Sequence, residues 1–391
     1  MKKGWEIKKL GEVCEFQRGL TYSKKDEVEF SENIVLRSNN VDLETNRLDF
    51  SDLKYINKNV EIPENKKVIK GSLLICTANG SKIHLGKVAL IDKEYDYAFG
   101  GFMGLITPQK TIKSKFLYYL MISEAYKEFI GKLSDGANIN NLKFGDLEKF
   151  EIPLPPLPEQ HRIVSILDEC FTAIDKAKAN AEQNLKNAKE LFESYLQEIF
   201  ENKDWGKEKI ENVCVELFAG GDAPKNNFSE ESNEKNKIPI YANAVKDRGL
   251  YGYTDFARVT KPSVTISARG SGTGHTELRM GNYLPIVRLI VCIPNTKKIT
   301  LEFLKFSIDN LDIMRSGSAI PQLTVPMIKG YSIPLPSLKE QQIIVRQLDA
   351  LRTETQKLES IYQKKIANLD ELKKSILAKA FNCQNQDFQD F

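Results

Sequence analysis

The sequence predicts an α+β chain: two mixed α/β domains, each followed by a long helix, with the two helices pairing as an antiparallel coiled coil of pseudo-two-fold symmetry. Three observations predict it. The 391-residue chain is written twice. Each copy ends in a stretch of 42 residues, 159–200 and 340–381, that contains neither glycine nor proline. The regions before these stretches carry short apolar runs separated by turn-forming residues, the pattern of strands and short helices.

The repeat comes first because it organises the rest. Trp5-Glu6-Ile7-Lys8-Lys9-Leu10-Gly11-Glu12-Val13-Cys14 returns as Trp205-Gly206-Lys207-Glu208-Lys209-Ile210-Glu211-Asn212-Val213-Cys214, an offset of 200, and these are the only two tryptophans. Thr77-Ala78-Asn79-Gly80-Ser81 returns as Ser267-Ala268-Arg269-Gly270-Ser271 at offset 190. Residues 152–169, IPLPPLPEQHRIVSILDE, return at 333–350 as IPLPSLKEQQIIVRQLDA, matching at 11 of 18 positions at offset 181. The falling offset means that the first copy carries 19 more residues, all before Gly136 and Gly317. The chain therefore divides into a first domain (1–156), a first helix (157–204), a second domain (205–336) and a second helix with a tail (337–391). The domains have diverged while the helices keep register, which suits two readers of different things on one frame.

Proline-rich segments, 153–158 and 334–336, precede the helices, where proline is tolerated at an entrance and excluded from an interior. Leu167, Ile174, Ala181, Ala188 and Tyr195 recur every seven residues, as do Leu348, Thr355, Tyr362, Leu369 and Ile376. Cys170, Ala177 and Leu191 interleave in the first helix and Leu351, Leu358 and Leu372 in the second, the spacing of a coiled-coil seam. Leu167, Ile174, Leu191, Leu348, Leu351, Leu358, Leu369 and Leu372 are the expected pairing residues. The first helix puts small alanines where the second puts leucine and tyrosine, a complementarity that favours one helix packing on the other.

Within the domains, 72–77, 88–91, 263–267 and 286–293 read as strands, and 114–133 and 300–314 as helical. A short helix is expected after each tryptophan, from Leu10, Val13 and Cys14 and from Ile210, Val213 and Cys214. Loops rich in glycine and hydrogen-bonding side chains follow the strands. The first domain offers Asn79, Ser81 and Lys82, then Asn138, Asn140, Asn141 and Lys143; the second offers Arg269, Ser271, Thr273 and His275, then Arg315, Ser316 and Gln322. Arg18, Asn39, Asn40, Asn243 and Arg248 join them as candidates. Such groups donate to phosphates and base edges: Asn and Gln pair with adenine, Arg with guanine. Asn-Gly and Ser-Gly are also ordinary turn chemistry, so recurrence at matched places in both copies carries the functional reading.

The net charge of +3 is near neutral, and Lys and Arg exceed Asp and Glu by 2 over residues 1–156 and by 4 over 205–336. That excess suits partial phosphate neutralisation. No apolar run is long enough to span a membrane and the start lacks a secretory signal, so a cytoplasmic protein is expected. The six cysteines form no CxxC pair and the three histidines are far apart, so no metal site is expected. There is no GxxxxGK[ST] phosphate loop and no Asn/Asp-Pro-Pro-aromatic methyltransferase tetrapeptide. Phe99-Gly100-Gly101-Phe102-Met103-Gly104 has only a faint likeness to a methyl-donor loop. No catalytic residues are expected.

Two variable domains opened by Trp5 and Trp205, alternating with two helices each introduced by I-P-L-P-x-L-x-E-Q-x-x-I, resemble the specificity subunit of type I restriction-modification systems. The resemblance spans essentially the whole chain and is strongest over Ile152–Asp168 and Ile333–Asp349. It implies two target recognition domains that each read half of a split double-stranded DNA site, with the helices as a ruler. It implies two methyltransferase subunits that methylate adenine with S-adenosylmethionine, and restriction (translocase) subunits that use ATP and magnesium; those cofactors belong to the partners, and this chain needs none. The competing expectation is a coiled-coil scaffold whose paired domains bind protein or another ligand.

Overall fold

A computed structural model describes residues 4–135, 141–201, 205–270, 272–311 and 322–381. The chain forms two compact units: Met1–Ala181 with Lys364–Phe391, and Glu182–Gln363. Each long helix therefore contributes one part to each unit, which excludes the arrangement in which each helix packs only on its own domain.

In the first unit the main sheet has strand order 14–18, 103–108, 73–76, 88–90, all antiparallel. Both of its faces are covered. Leu73, Ile75, Val88 and Ile106 pack with Phe116, Leu120 and the long-helix residues Leu167, Phe171 and Leu377. Leu74, Cys76, Ala89 and Leu105 pack on the other face with Leu36 and Phe99 of a second sheet, ordered 27–28, 54–56, 33–36, 97–99. Period-2 alternation feeding two cores explains why Leu73–Cys76 is apolar at every position.

The second unit repeats this plan. Its main sheet runs 214–219, 290–294, 263–266, 276–279, and its smaller sheet 250–254, 238–241, 284–285. Val264, Ile266, Ile290 and Cys292 face Phe303, Leu304 and the helix residue Leu348. Val291 and Ile293 face Val259 and Tyr283.

Most expected elements are present. The run 286–293 is different: its strand starts only at Ile290, because Val287 and Arg288 adopt left-handed backbone angles (φ 51° and 62°) and turn the chain. The residues after each tryptophan form more than a helix. Glu6–Lys9 pairs with Glu151–Leu154, and Lys207–Lys209 with Ser332–Pro334; a single helical turn follows, and Cys14 and Cys214 already open the next strand.

The repeated Glu-Gln of the two helix entrances has a structural task. Gln160 is fully buried: its Oε1 accepts from the Lys113 N–H (2.8 Å), and its Nε2 donates to the carbonyls of Thr111 (3.0 Å) and Pro155 (2.8 Å). Gln341 makes the same three bonds, with the Thr300 N–H (2.9 Å) and the carbonyls of Lys298 and Pro336 (2.9 Å each). Ser337 and Glu340 close a capping box on the second helix.

The helices run Leu157–Phe200 and Leu338–Phe381, each roughly 66 Å long at 1.5 Å per residue. In the first unit Lys178 pairs with Asp370 (2.7 Å) and Lys373 with Asp175 (3.0 Å), so the two segments run antiparallel. In the second, the Arg352 guanidinium lies 4.9 Å from the Phe192 ring centroid and 4.8 Å from that of Phe306. Leu167, Ile174, Ala181, Ala188, Leu348 and Thr355 are buried, and Leu369 and Leu351 are half-buried. The expected pairing residues Leu191, Leu358 and Leu372 are corrected: they are 49%, 37% and 47% exposed. The inward companions of the seven-residue rows lie four positions on, at Phe171, Lys178, Phe192, Arg352 and Lys373, where aromatic rings and the stems of basic side chains fill the seam. Leu191, Leu358 and Leu372, three positions on, stay exposed.

Candidate nucleic-acid interface

In the first unit the candidate loops gather at one end of the main sheet. The strand at 73–76 runs out into Thr77 and Ala78, whose N–H groups both donate to the Phe102 carbonyl (2.9 and 3.1 Å). The Leu142 N–H donates to the Thr77 carbonyl (2.7 Å), and Asn141 forms a bridge with Ala78. Arg18 ends the strand at 14–18, on the far side of 103–108, its guanidinium 5.5 Å from the Phe144 ring centroid. Arg18, Thr77, Phe102, Asn141, Leu142 and Phe144 line one pocket.

The second unit builds the same constellation. The Leu323 N–H donates to the Ala268 carbonyl (2.9 Å), and Gln322 forms a bridge with Arg269. Ala78–Asn141 and Arg269–Gln322 thus occupy equivalent places, brought together from loops far apart in sequence, so Arg269 corresponds to Ala78 and not, as the offset of 190 would have it, to Asn79. Arg269 and Gln322 are exposed, as are Arg18, Ser81, Asn141 and Lys143, so their donors are open to a ligand.

Other candidates serve the loops themselves. Asn40 is a correction: it is fully buried, accepts from the Arg37 N–H and donates to the carbonyls of Asp49 and Asp52, so it reaches no ligand. Asn39 donates to Asp52 (3.1 Å). Asn79 donates to the Ser38 hydroxyl (2.9 Å) and accepts from the Ser81 N–H (3.0 Å), which shapes its turn. Lys82 donates to the Ser134 carbonyl (3.0 Å). Asn243 donates to the Val287 carbonyl and accepts from the Ala268 N–H, so it ties the turn at 287–288 to the strand end beside Arg269. Thr273 donates to the Gly270 carbonyl (2.8 Å). Arg248 and His275 converge on Glu277 at 2.8 and 3.2 Å. Burial pushes the Glu277 carboxyl up, but the Arg248 hydrogen bond and charge, aided by His275 and Arg279, outweigh it and hold the group below its usual range. Asn138, Asn140, Ser271, Arg315 and Ser316 lie outside the described residues.

Two residues at this end escape the sequence reading, Phe102 and Arg288. The signal for each is present: Gly100-Gly101 frees the chain ahead of Phe102, and Arg288 is the lone charge in the apolar run 284–293.

The model of the type I restriction modification DNA specificity domain matches twice, over residues 2–186 and 202–368. The chain belongs to the type I restriction-modification DNA specificity family. It is 26% identical to the EcoKI specificity subunit of Escherichia coli, over 97% of this chain and 89% of that one. It is 34% identical to a putative type I specificity subunit of Mycoplasma pneumoniae, over 62% of this chain and 74% of that one. The fold of the HsdS subunit from Thermoanaerobacter tengcongensis is similar (TM-score 0.66, 20% identity, 98% of both chains), as is that of a chain from a type I R-M system described for its complex assembly and conformational transition (TM-score 0.79, 20% identity, 98% and 99%). The two family matches coincide with the two copies of the repeat, and this specificity chain carries a loop cluster of equivalent construction in each copy. Among the described residues, no helix is long and apolar enough to cross a membrane.

Proposed function

We propose that each loop cluster reads one half of a bipartite double-stranded DNA target, and that the chain performs no catalysis itself. The observation that carries this reading is the pairing of equivalent positions with different chemistry: Ala78 with Asn141 in one copy, Arg269 with Gln322 in the other. A rigid sheet end presenting exchangeable hydrogen-bonding loops is what two readers of different bases require. The arginine and lysine at the rims, Arg18, Lys143 and Arg269, supply phosphate or base contacts. The long helices form an antiparallel coiled coil with pseudo-two-fold symmetry that fixes the gap between half-sites. Two methyltransferase subunits and restriction subunits are the partners. S-adenosylmethionine, ATP and magnesium belong to those subunits, and adenine methylation or cleavage is theirs.

A gel-shift titration of the chain with its methyltransferase partner over a salt series tests this. The logarithm of the affinity should fall linearly with the logarithm of salt concentration, through release of phosphate counterions. Salt-independent binding, or none, would favour a scaffold that binds protein.

A further inference from the structure

The strand pairings fix which residues of the two units correspond at the sheet end. The Gly19 N–H donates to the Met103 carbonyl (3.2 Å), and the Gly220 N–H to the Leu289 carbonyl (2.8 Å). Parallel bridges join Leu20 to Gly100 and Gly221 to Ile286. Gly19 and Gly220 lie so close to the facing backbone that a Cβ on either would sit within 2.6 Å of it, so both copies cross at the same place. Phe102 and Arg288, each one residue before the matched pair Met103 and Leu289, are therefore equivalent.

Neither side chain has a task inside its unit. Phe102 is 72% exposed, which forfeits nearly all the benefit of burying a large ring. Arg288 is exposed, and its guanidinium has no hydrogen bond or ion pair among the described residues. Their backbones, by contrast, are firmly held. The Phe102 carbonyl accepts from Thr77 and Ala78. Val287 and Arg288 keep left-handed angles, unfavourable for a β-branched residue above all, under bonds from the Val287 N–H to Gly221 (2.7 Å), from the Arg288 N–H to Gly220 (3.2 Å) and from Asn243 to the Val287 carbonyl. A fixed backbone with a free tip, duplicated at one topological position with an aromatic ring in one copy and a guanidinium in the other, is the construction of a specificity determinant.

We propose that Phe102 and Arg288 are the base-reading tips of the two domains: Arg288 forks onto a guanine edge in the second half-site, and Phe102 packs on a thymine methyl in the first. This rests on the DNA reading given above. Arginine is matched to the paired acceptors of guanine in the major groove, and an aromatic ring to the methyl of thymine.

The test uses the chain assembled with its methyltransferase partner, bound to a DNA library that varies every position of both half-sites. Both side chains are exposed, so Phe102→Ala, Arg288→Ala and Arg288→Gln should keep the wild-type melting midpoint. Arg288→Ala should reduce discrimination at one G·C position of the second half-site by about 5- to 150-fold, the equivalent of about 1–3 kcal/mol. Arg288→Gln should shift that position toward adenine, and Phe102→Ala should relax one A·T position of the first half-site only. A uniform loss of affinity with a salt slope lower by about one would make Arg288 a phosphate contact and overturn its assignment. Unchanged preferences in both alanine variants would overturn the proposal while leaving the DNA reading standing. A wild-type complex with no sequence preference would sink that reading, and the proposal with it.

Discussion

At Gln160 and Gln341 one buried amide satisfies three backbone groups and fastens a long helix to its domain. Truncating Gln341 to alanine leaves the Thr300 N–H and two carbonyls without partners in a buried place. A loss of about 1–3 kcal/mol is expected from each such unsatisfied group. Urea denaturation of Gln341→Ala should therefore give a clearly lower midpoint, and a midpoint equal to wild type would show that the amide carries no load. Arg269 behaves differently because it is exposed and its bridge to Gln322 is made by backbone. Arg269→Ala should leave the midpoint unchanged. It should cost about 1–3 kcal/mol of binding at one position of the second half-site if it reads a base, or lower the salt slope by about one if it holds a phosphate. Wild-type affinity, preference and slope would remove it from the interface. These cases mark what the sequence makes legible at this scale. The repeat identified the loops that meet, but Asn40, Asn79 and Asn243 have the same composition as a ligand-facing residue and spend their amides inside the fold. Only three-dimensional pairing separates a turn-forming amide from an outward one.

The helices were readable in extent because glycine and proline are absent between two proline-rich entrances. The inner face was readable only in part. The seven-residue rows are buried or half-buried, but of the interleaved leucines that read as their companions Leu191, Leu358 and Leu372 are exposed; the seam is filled instead by Phe171, Phe192 and the stems of Lys178, Arg352 and Lys373. Hydrophobicity alone does not reveal that a basic side chain lying over an aromatic ring serves as packing. The contrast can be measured. Leu348 is fully buried in the second unit's core, so Leu348→Ala should cost about 2–5 kcal/mol. Leu191→Ala and Leu372→Ala should each change stability by no more than about 0.5 kcal/mol. Chemical denaturation of the three variants decides it: equal losses in all three would restore the leucines to the seam. The strand expected over 286–289 and absent there has a similar origin, since an apolar run cannot announce that Val287 and Arg288 turn the chain.

Across the whole chain, two copies of one plan carry different side chains at corresponding loop positions: Asn141 against Gln322, Ala78 against Arg269, Phe102 against Arg288. The topology is common to both, down to the strand order of the main sheets. This is the property that lets sequence preference change in one copy without disturbing the other. The most direct test replaces residues 1–150 with the corresponding domain of another specificity subunit, in a host that also expresses the methyltransferase partner, and maps methylated adenines across the genome. One half of the recognised site should change, while the other half and the gap between them stay as they were. A change in both halves at once would contradict the account of two independent readers.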